Sequence, residues 1–554
     1  MKPAKFISNL ILIIMALSSF FSISACHDMK RKADLIVYNA FIYTVDSAFS
    51  TTTGAVVIRN GKILECGHDD WILSRYDATV QINAKKHFVY PGFIDAHSHL
   101  YGLAQMQRYA DLSAAGSFTG VLKQLKLWNQ AHPSGWILGR GWDQNKWPGR
   151  RFPDNKELDR LFPGIPVVLT RIDGHAVLAS TEAIRRSNLG AIPPGEAIYD
   201  GNRLTGIFLE GTADKIKAAV PGLSEAETED MLFSAAGRCY AAGLTSVTDA
   251  GLDRKDIIRL DSLQKAGKLS IRVNAMLNPT EENFRTFLDK GIYKTPQLTV
   301  RSVKLYADGA LGSRGACLKK PYSDDRSNFG VLVISKDVLR ETCEKAYHAG
   351  YQVCTHAIGD SAVAFILRNY GIVLKGHNDR RWRIEHSQVV DPEDLYMFGK
   401  FSIIPSIQTT HATSDMGWAE TRLGNRVINA YPYKRLLAQN GWLPDGTDFP
   451  IESIEPLKSF YAGVARKDIN GAPAEGFQTT DALSRKEALE SITIWAAKAA
   501  FEEEEKGSIE KGKYGDLVIL DQDIMKIPEK DILKTNVLYT IINGKVVFDS
   551  SKQK

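Results

Sequence analysis

His97 and His99 stand two residues apart in the segment PGFIDAHSHL. Residues i and i+2 of a β-strand project from the same face, so both imidazoles can reach one cation from the end of such a strand. Four more residues follow apolar runs in the same way: Lys304 in VKLYADG, His356 in VCTHAIGD, His386 in RIEHSQ and Asp448 in DGTDFP. Imidazole and carboxylate donors suit zinc, with iron, manganese or nickel as alternatives. Taken singly, each residue has a structural explanation. H-x-H alone is a weak signal, and His386 fits a satisfied core histidine. Lys304 fits an ion pair, and Asp448 a helix cap or turn.

The spacing argues for the set. A barrel of about 250 residues allots roughly 31 residues to each βα unit. His356 and His386 lie 30 residues apart, one unit; His386 and Asp448 lie 62 apart, two units. Lys304 to His356 is 52, one long unit. With His97 and His99 ending strand 1, the six residues fall on strands 1, 4, 5, 6 and 8 of an α/β fold, a (β/α)8 TIM barrel. Active sites lie at the C-terminal end of such strands. The 205 residues from His99 to Lys304 exceed three units by on the order of 110. The excess marks a long insertion at about 103–235, rich in tryptophan and proline (GWILGRGWDQNKWPGRRFP). Packing inside the insertion accounts for Trp136, Trp142 and Trp147 better than a lid does. Cys354, two before His356, reads as core filling.

Both ends of the chain read as short strands. ADLIVYNAFIYTVD and GAVVIRNGKILECG carry the turn pair Asn60-Gly61, and VLYTIINGKVVFD carries Asn543-Gly544; such pairs mark hairpins. Two isolated half-sheets are marginal alone, so one β-sandwich built from 33–90 and 501–554 is expected around a barrel at 91–500. Glu502 to Glu505 reads as a solvated, helix-like face. Gly350 is placed to cap the helix SKDVLRETCEKAYHAG.

Residues 1–25 combine Lys2 and Lys5, the apolar run LILIIMALSSFF and small residues before Cys26. That order marks a signal peptide too short to span a bilayer, and its end is similar to a bacterial lipoprotein lipobox. The resemblance implies lipidation of Cys26, a polar tether at 26–32, export and anchoring to a membrane. The formal charge of +5 falls to +3 without residues 1–25, and no long basic run argues for nucleic acid. Cys66, Cys239, Cys317, Cys343 and Cys354 are scattered and read as inert thiols.

The segments PGFIDAHSH, VKLYADGALGSR, THAIGD, RIEHSQ and GTDFP resemble, in order and spacing, the signatures of the amidohydrolase superfamily, more narrowly its YtcJ-like branch (amidohydrolase family 3), which includes N-substituted formamide deformylases. The resemblance implies one metal on His97, His99 and Asp448 and a second on His356 and His386. Lys304, carboxylated by carbon dioxide, would bridge two zinc ions as a carbamate. Asp448 would carry the proton between water and leaving nitrogen. His386 is counted with the catalytic set as well as with the ligands. RIDGHAVLAS resembles the family's R-x-D-G-H segment, which offers Arg171 and His175 as substrate or oxyanion contacts. Asp308 and Arg314 follow strand 4, and Gln408 and His411 follow strand 7, as residues that orient substrate or support the metals. The family has proline where Thr409 or Thr410 stands, a departure in that loop.

The expected reaction on a small-molecule substrate is hydrolysis of a C–N bond in an amide, formamide or N-acyl amine. Deamination, or hydrolysis of an ester, carbamate or lactone, is the alternative on the same residues. A ligand-binding lipoprotein without activity would be expected to lack ligands, and all six positions are filled. The sequence is compatible with a homo-oligomer.

Overall fold

In the computed structural model, which describes residues 30–553 apart from 133, 134 and 173, Asn60 and Gly61 both adopt left-handed backbone, at φ 51° and 72°. This two-residue turn matches the twist of antiparallel strands and joins Thr51–Arg59 to Lys62–Gly67. Asn543 and Gly544 repeat it at φ 53° and 69°, between Val537–Ile542 and Lys545–Asp549. The two chain ends meet where Leu517–Leu520 pairs antiparallel with Phe88–Pro91, giving one eight-stranded hydrogen-bonded sheet. Leu35, Val37, Val56, Ile58, Leu517 and Ile519 form a buried cluster. The alternate residues Ile36 and Val57 join another with Ile72 and Tyr76, as the strand period requires. The sheet starts at Arg31, inside the stretch expected to be tether. The expected signal peptide, Cys26 and residues 27–29 lie outside the described residues.

The chain divides into two compact units: Met1–His99 with Gly237–Lys554, and Leu100–Ala236. The larger holds seven parallel strands in order: Phe93–Ser98, Leu244–Leu252, Arg272–Leu277, Leu298–Tyr306, Gln352–Ala357, Arg383–His386 and Ile404–Ser406. Residues 443–448 bring the two edges together. Ile407 donates to Pro444 and Gly446 to Ile407, at 3.0 Å each, while Ala96 donates to Asp445 (3.2 Å) and Asp448 to His97 (2.7 Å). The eighth position is thus irregular backbone rather than a regular strand. Gly446 is required there, because a Cβ would stand 2.3 Å from the His97 amide nitrogen. Helices alternate with the strands. Lys336–Ala349 starts at Ser335, whose hydroxyl accepts from the Val338 amide, and ends at left-handed Gly350. It buries Leu339, Thr342, Cys343 and Ala346, one stripe at helical spacing.

The acidic run departs from expectation. Residues 502–505 form turns, and Glu502 is buried. Its carboxylate accepts from Thr299 Oγ1 (2.6 Å) and pairs with Lys506 (2.6 Å). A carboxylate can leave water only with such partners, so this residue is structural.

The unit Leu100–Ala236 has its own mixed six-stranded sheet and its own core. Trp142 and Trp147 are in that core; their indoles donate to Leu169 and Ala115 carbonyls at 2.8 Å each. Trp142→Ala is expected to destabilise this unit by about 3–5 kcal/mol, read as a loss of amide-exchange protection within 100–236. A loss below about 1 kcal/mol would show that the ring is not a packing anchor. Among the described residues no helix is long and apolar enough to cross a membrane, and all five cysteines are free.

Candidate metal centre

The C-terminal ends of the parallel strands carry the chemistry. His97 is the penultimate residue of the first strand, with His99 just beyond it; Lys304, His356 and His386 sit on the fourth, fifth and sixth. Asp448 follows the irregular closing segment. Two of these residues are aimed by unusual backbone: His386 has φ 72° and Asp448 φ 59°. Left-handed backbone costs a residue other than glycine about 1–3 kcal/mol, and such conformations cluster at functional sites.

These side chains converge. His97, His386 and Asp448 each place a ligand atom within 4.8 Å of the others. Asp448 Oδ1 is 3.0 Å from His99 Nε2 and 3.7 Å from His97 Nε2. Lys304 Nζ is 3.3 Å from His97 Nε2. The His386 ring centre is 4.5 Å from that of His356 and 5.0 Å from that of His97. All six line a cavity of about 380 Å³, together with Tyr306, Leu311, Ile358, Gln388, Asp415 and Trp418. That volume is in the range of small-molecule sites.

Burial sets the electrostatics. It holds His97 near a pKa of about 4 and His356 near about 3, with Lys304 adding repulsion, and takes His386 well below the ordinary value. All three are neutral imidazoles, the form that binds metal. Desolvation also lowers Lys304, which favours the free amine. Burial alone would raise Asp448, but the His99 hydrogen bond and the neighbouring imidazoles hold it well below the carboxylate range. Several buried nitrogens have no hydrogen-bond partner among the described residues: His356 Nε2, His386 Nδ1 and His411 Nε2. Orphaned polar atoms in a buried site are costly. A divalent cation would satisfy them, so the donor set fits the metal that the sequence implies.

The flanking residues divide. Asp308 accepts from the Cys317, Ile358 and Gly359 amides at 2.8–3.0 Å and lies 3.6 Å from His356 Nε2. Burial raises its pKa to about 6 against those donors. His411 lines the cavity, stacked on His386 at 5.8 Å and 3.9 Å from Asp448. Gln408 is buried outside the cavity lining, and its carbonyl accepts from Tyr433. Arg314 reaches Asp324 (2.7 Å) instead of the cavity. Arg171 pairs with Asp143 and Gln144, and His175 pairs with Glu210 at 3.2 Å, all within Leu100–Ala236. Thr409, at the departure from the family pattern, bonds Asp445 through its amide and hydroxyl.

Sequence reasoning passed over three buried ionisable groups behind the histidines. Glu385 Oε2 is 2.5 Å from His97 Nδ1, Arg383 pairs with Glu385 at 2.7 Å, and Asp95 accepts from the Thr447 hydroxyl and amide. The signal was legible in RWRIEH: Arg383 and Glu385 stand two apart, hence on one face, in a strand too enclosed for unpaired charge.

The comparisons agree with this geometry. The amidohydrolase family profile matches residues 81–548. YtcJ of Bacillus subtilis (strain 168) is 30% identical over 533 residues, covering 93% of this chain and 99% of that one. The N-substituted formamide deformylase of Arthrobacter pascens is 26% identical over 545 residues, covering 93% and 98%. An uncharacterized metal-dependent hydrolase from Pyrococcus horikoshii OT3 superposes with a TM-score of 0.76 at 29% identity, covering 89% and 99%. With the profile running from the first sheet to the last strand, the chain belongs to the amidohydrolase family and is a metal-dependent hydrolase.

Proposed function

We propose that this hydrolase cleaves the C–N bond of an amide, formamide or N-acyl amine. The observation that carries the reading is the convergence of His97, His99, Lys304, His356, His386 and Asp448 on one cavity. His97, His99 and Asp448 would hold one zinc, and His356 and His386 a second, with carboxylated Lys304 between them. Burial lowers the Lys304 pKa and so favours the free amine, the form that adds carbon dioxide, which supports carboxylation. When bound, the cations acidify a water and polarise the substrate carbonyl. Asp448, held ionised by its neighbours, accepts the proton from the attacking water and returns it to the leaving nitrogen. His411 flanks Asp448 and orients it, and Asp308 stands beside His356. The apolar walls, Leu311, Ile358 and Trp418, exclude water and take the substituent on nitrogen. Arg171 and His175 enter this reading as substrate contacts from the family motif alone. Lys2, the apolar run and Cys26 support export as a lipoprotein, anchored to a membrane by the lipid on Cys26.

Metal analysis of the purified protein, combined with a panel of N-formyl and N-acyl amines, tests the reading. Two equivalents of zinc and release of the free amine are expected. Turnover of ring amines, esters or lactones alone would assign the alternative chemistry. A metal-free protein inert on the whole panel would end the reading.

A further inference from the structure

His97 differs from the other histidines of the centre by what stands behind it. Its Nδ1 is 2.5 Å from Glu385 Oε2, and both side chains are essentially inaccessible to solvent. Glu385 is in turn held by Arg383, Nε to Oε1 at 2.7 Å and Nη2 to Oε2 at 2.8 Å. The same Nη2 also lies across the barrel from two further acceptors, the Ala96 carbonyl (2.7 Å) and Ser406 Oγ (2.8 Å), which share its two N–H groups with Glu385. One guanidinium therefore ties the sixth strand to the first, beside His97, and to the seventh. His386 offers the contrast, since its Nδ1 has no hydrogen-bond partner among the described residues.

The carboxylate side of the His97 ring fixes the tautomer, and the Lys304 side is compatible with it. A carboxylate is acceptor only, so Nδ1 must carry the proton and donate. Lys304 Nζ, 3.3 Å from Nε2, can donate to that lone pair whether it is charged or neutral. Nε2 is thus left as a lone pair directed into the cavity, the form a cation requires.

We infer that Arg383 and Glu385 are positioning residues: together they fix His97 as the Nδ1–H tautomer, lock its ring plane and raise its donor strength, making His97 the anchoring ligand of the metal centre. The inference rests on the metal-centre reading, but the tautomer it specifies belongs to the metal-free protein. Histidine ligands backed by a carboxylate bind metal about 10–100-fold more tightly than those without one. A buried ion pair serving only to fill the barrel would have no such effect, and replacing it with apolar residues of similar volume is often neutral for stability.

The test uses the full chain. Arg383→Met/Glu385→Leu removes the pair without leaving an unpaired buried charge, and Arg383→Met/Glu385→Gln keeps a neutral acceptor for Nδ1–H. Zinc affinity of the metal-free proteins is measured by chelator competition, and thermal unfolding is followed alongside. The expected result is wild-type-like unfolding, a 10–100-fold weaker zinc affinity in the leucine variant, and an intermediate affinity in the glutamine variant. Zinc affinity unchanged in a folded leucine variant would overturn the inference. The tautomer is read independently in the wild-type protein from the ring ¹⁵N shifts of His97, assigned by their loss in His97→Gln. An Nδ1–H ring supports the inference, and an Nε2–H ring overturns it whether or not either double variant folds. A wild-type chain that binds no zinc while showing the Nδ1–H ring would count against the proposed function and leave the positioning intact.

Discussion

Asp448→Asn is expected to lower kcat by on the order of 10³-fold, within the span of general acid–base catalysis, while KM changes little. The substitution is nearly isosteric. The amide oxygen can still accept from His99 Nε2, now 3.0 Å from Oδ1, and the Asp448 backbone amide still bonds the His97 carbonyl. What asparagine cannot do is accept a proton from water and pass it on. The native carboxylate is kept ionised by His99 and the flanking imidazoles against the push of burial, so at neutral pH it is always ready as a base. Steady-state kinetics on an N-formyl or N-acyl amine, with metal content measured on the same sample, separates proton transfer from ligand loss. An unchanged kcat would remove Asp448 from the proton-transfer role. A fall in kcat that tracks missing metal would leave it a ligand only.

His97→Ala is expected to strip metal from the centre and to lower kcat/KM by on the order of 10³-fold or more, since Lewis-acid stabilisation contributes several kcal/mol. The fold should survive. The main-chain bonds at position 97, from its amide to Asp95 and from its carbonyl to the Asp448 amide, do not involve the ring. Glu385 keeps its pair with Arg383. Metal stoichiometry by elemental analysis and unfolding of the metal-free protein are the measurements. Full metal occupancy in this variant would show that His97 is not a ligand.

The sequence by itself determined the kind of chemistry and the frame that carries it. Donor residue types, the two-residue period of strands and the roughly 30-residue period of βα units are local properties, so His97, His99, Lys304, His356, His386 and Asp448 could be picked out and assigned to strand ends. The hairpin turns at Asn60-Gly61 and Asn543-Gly544 were legible for the same reason, because left-handed backbone is favourable for few residue types. Only the tertiary structure decided what no local pattern encodes. It buried Glu502 against Lys506 and Thr299, turned Arg314 to Asp324, and closed the barrel with irregular backbone around Gly446. It also set Glu385 and Arg383 behind His97, 288 residues away in the chain from the carboxylate it touches. Partners of a buried charge are chosen by proximity in space, and only the closed barrel sets that proximity.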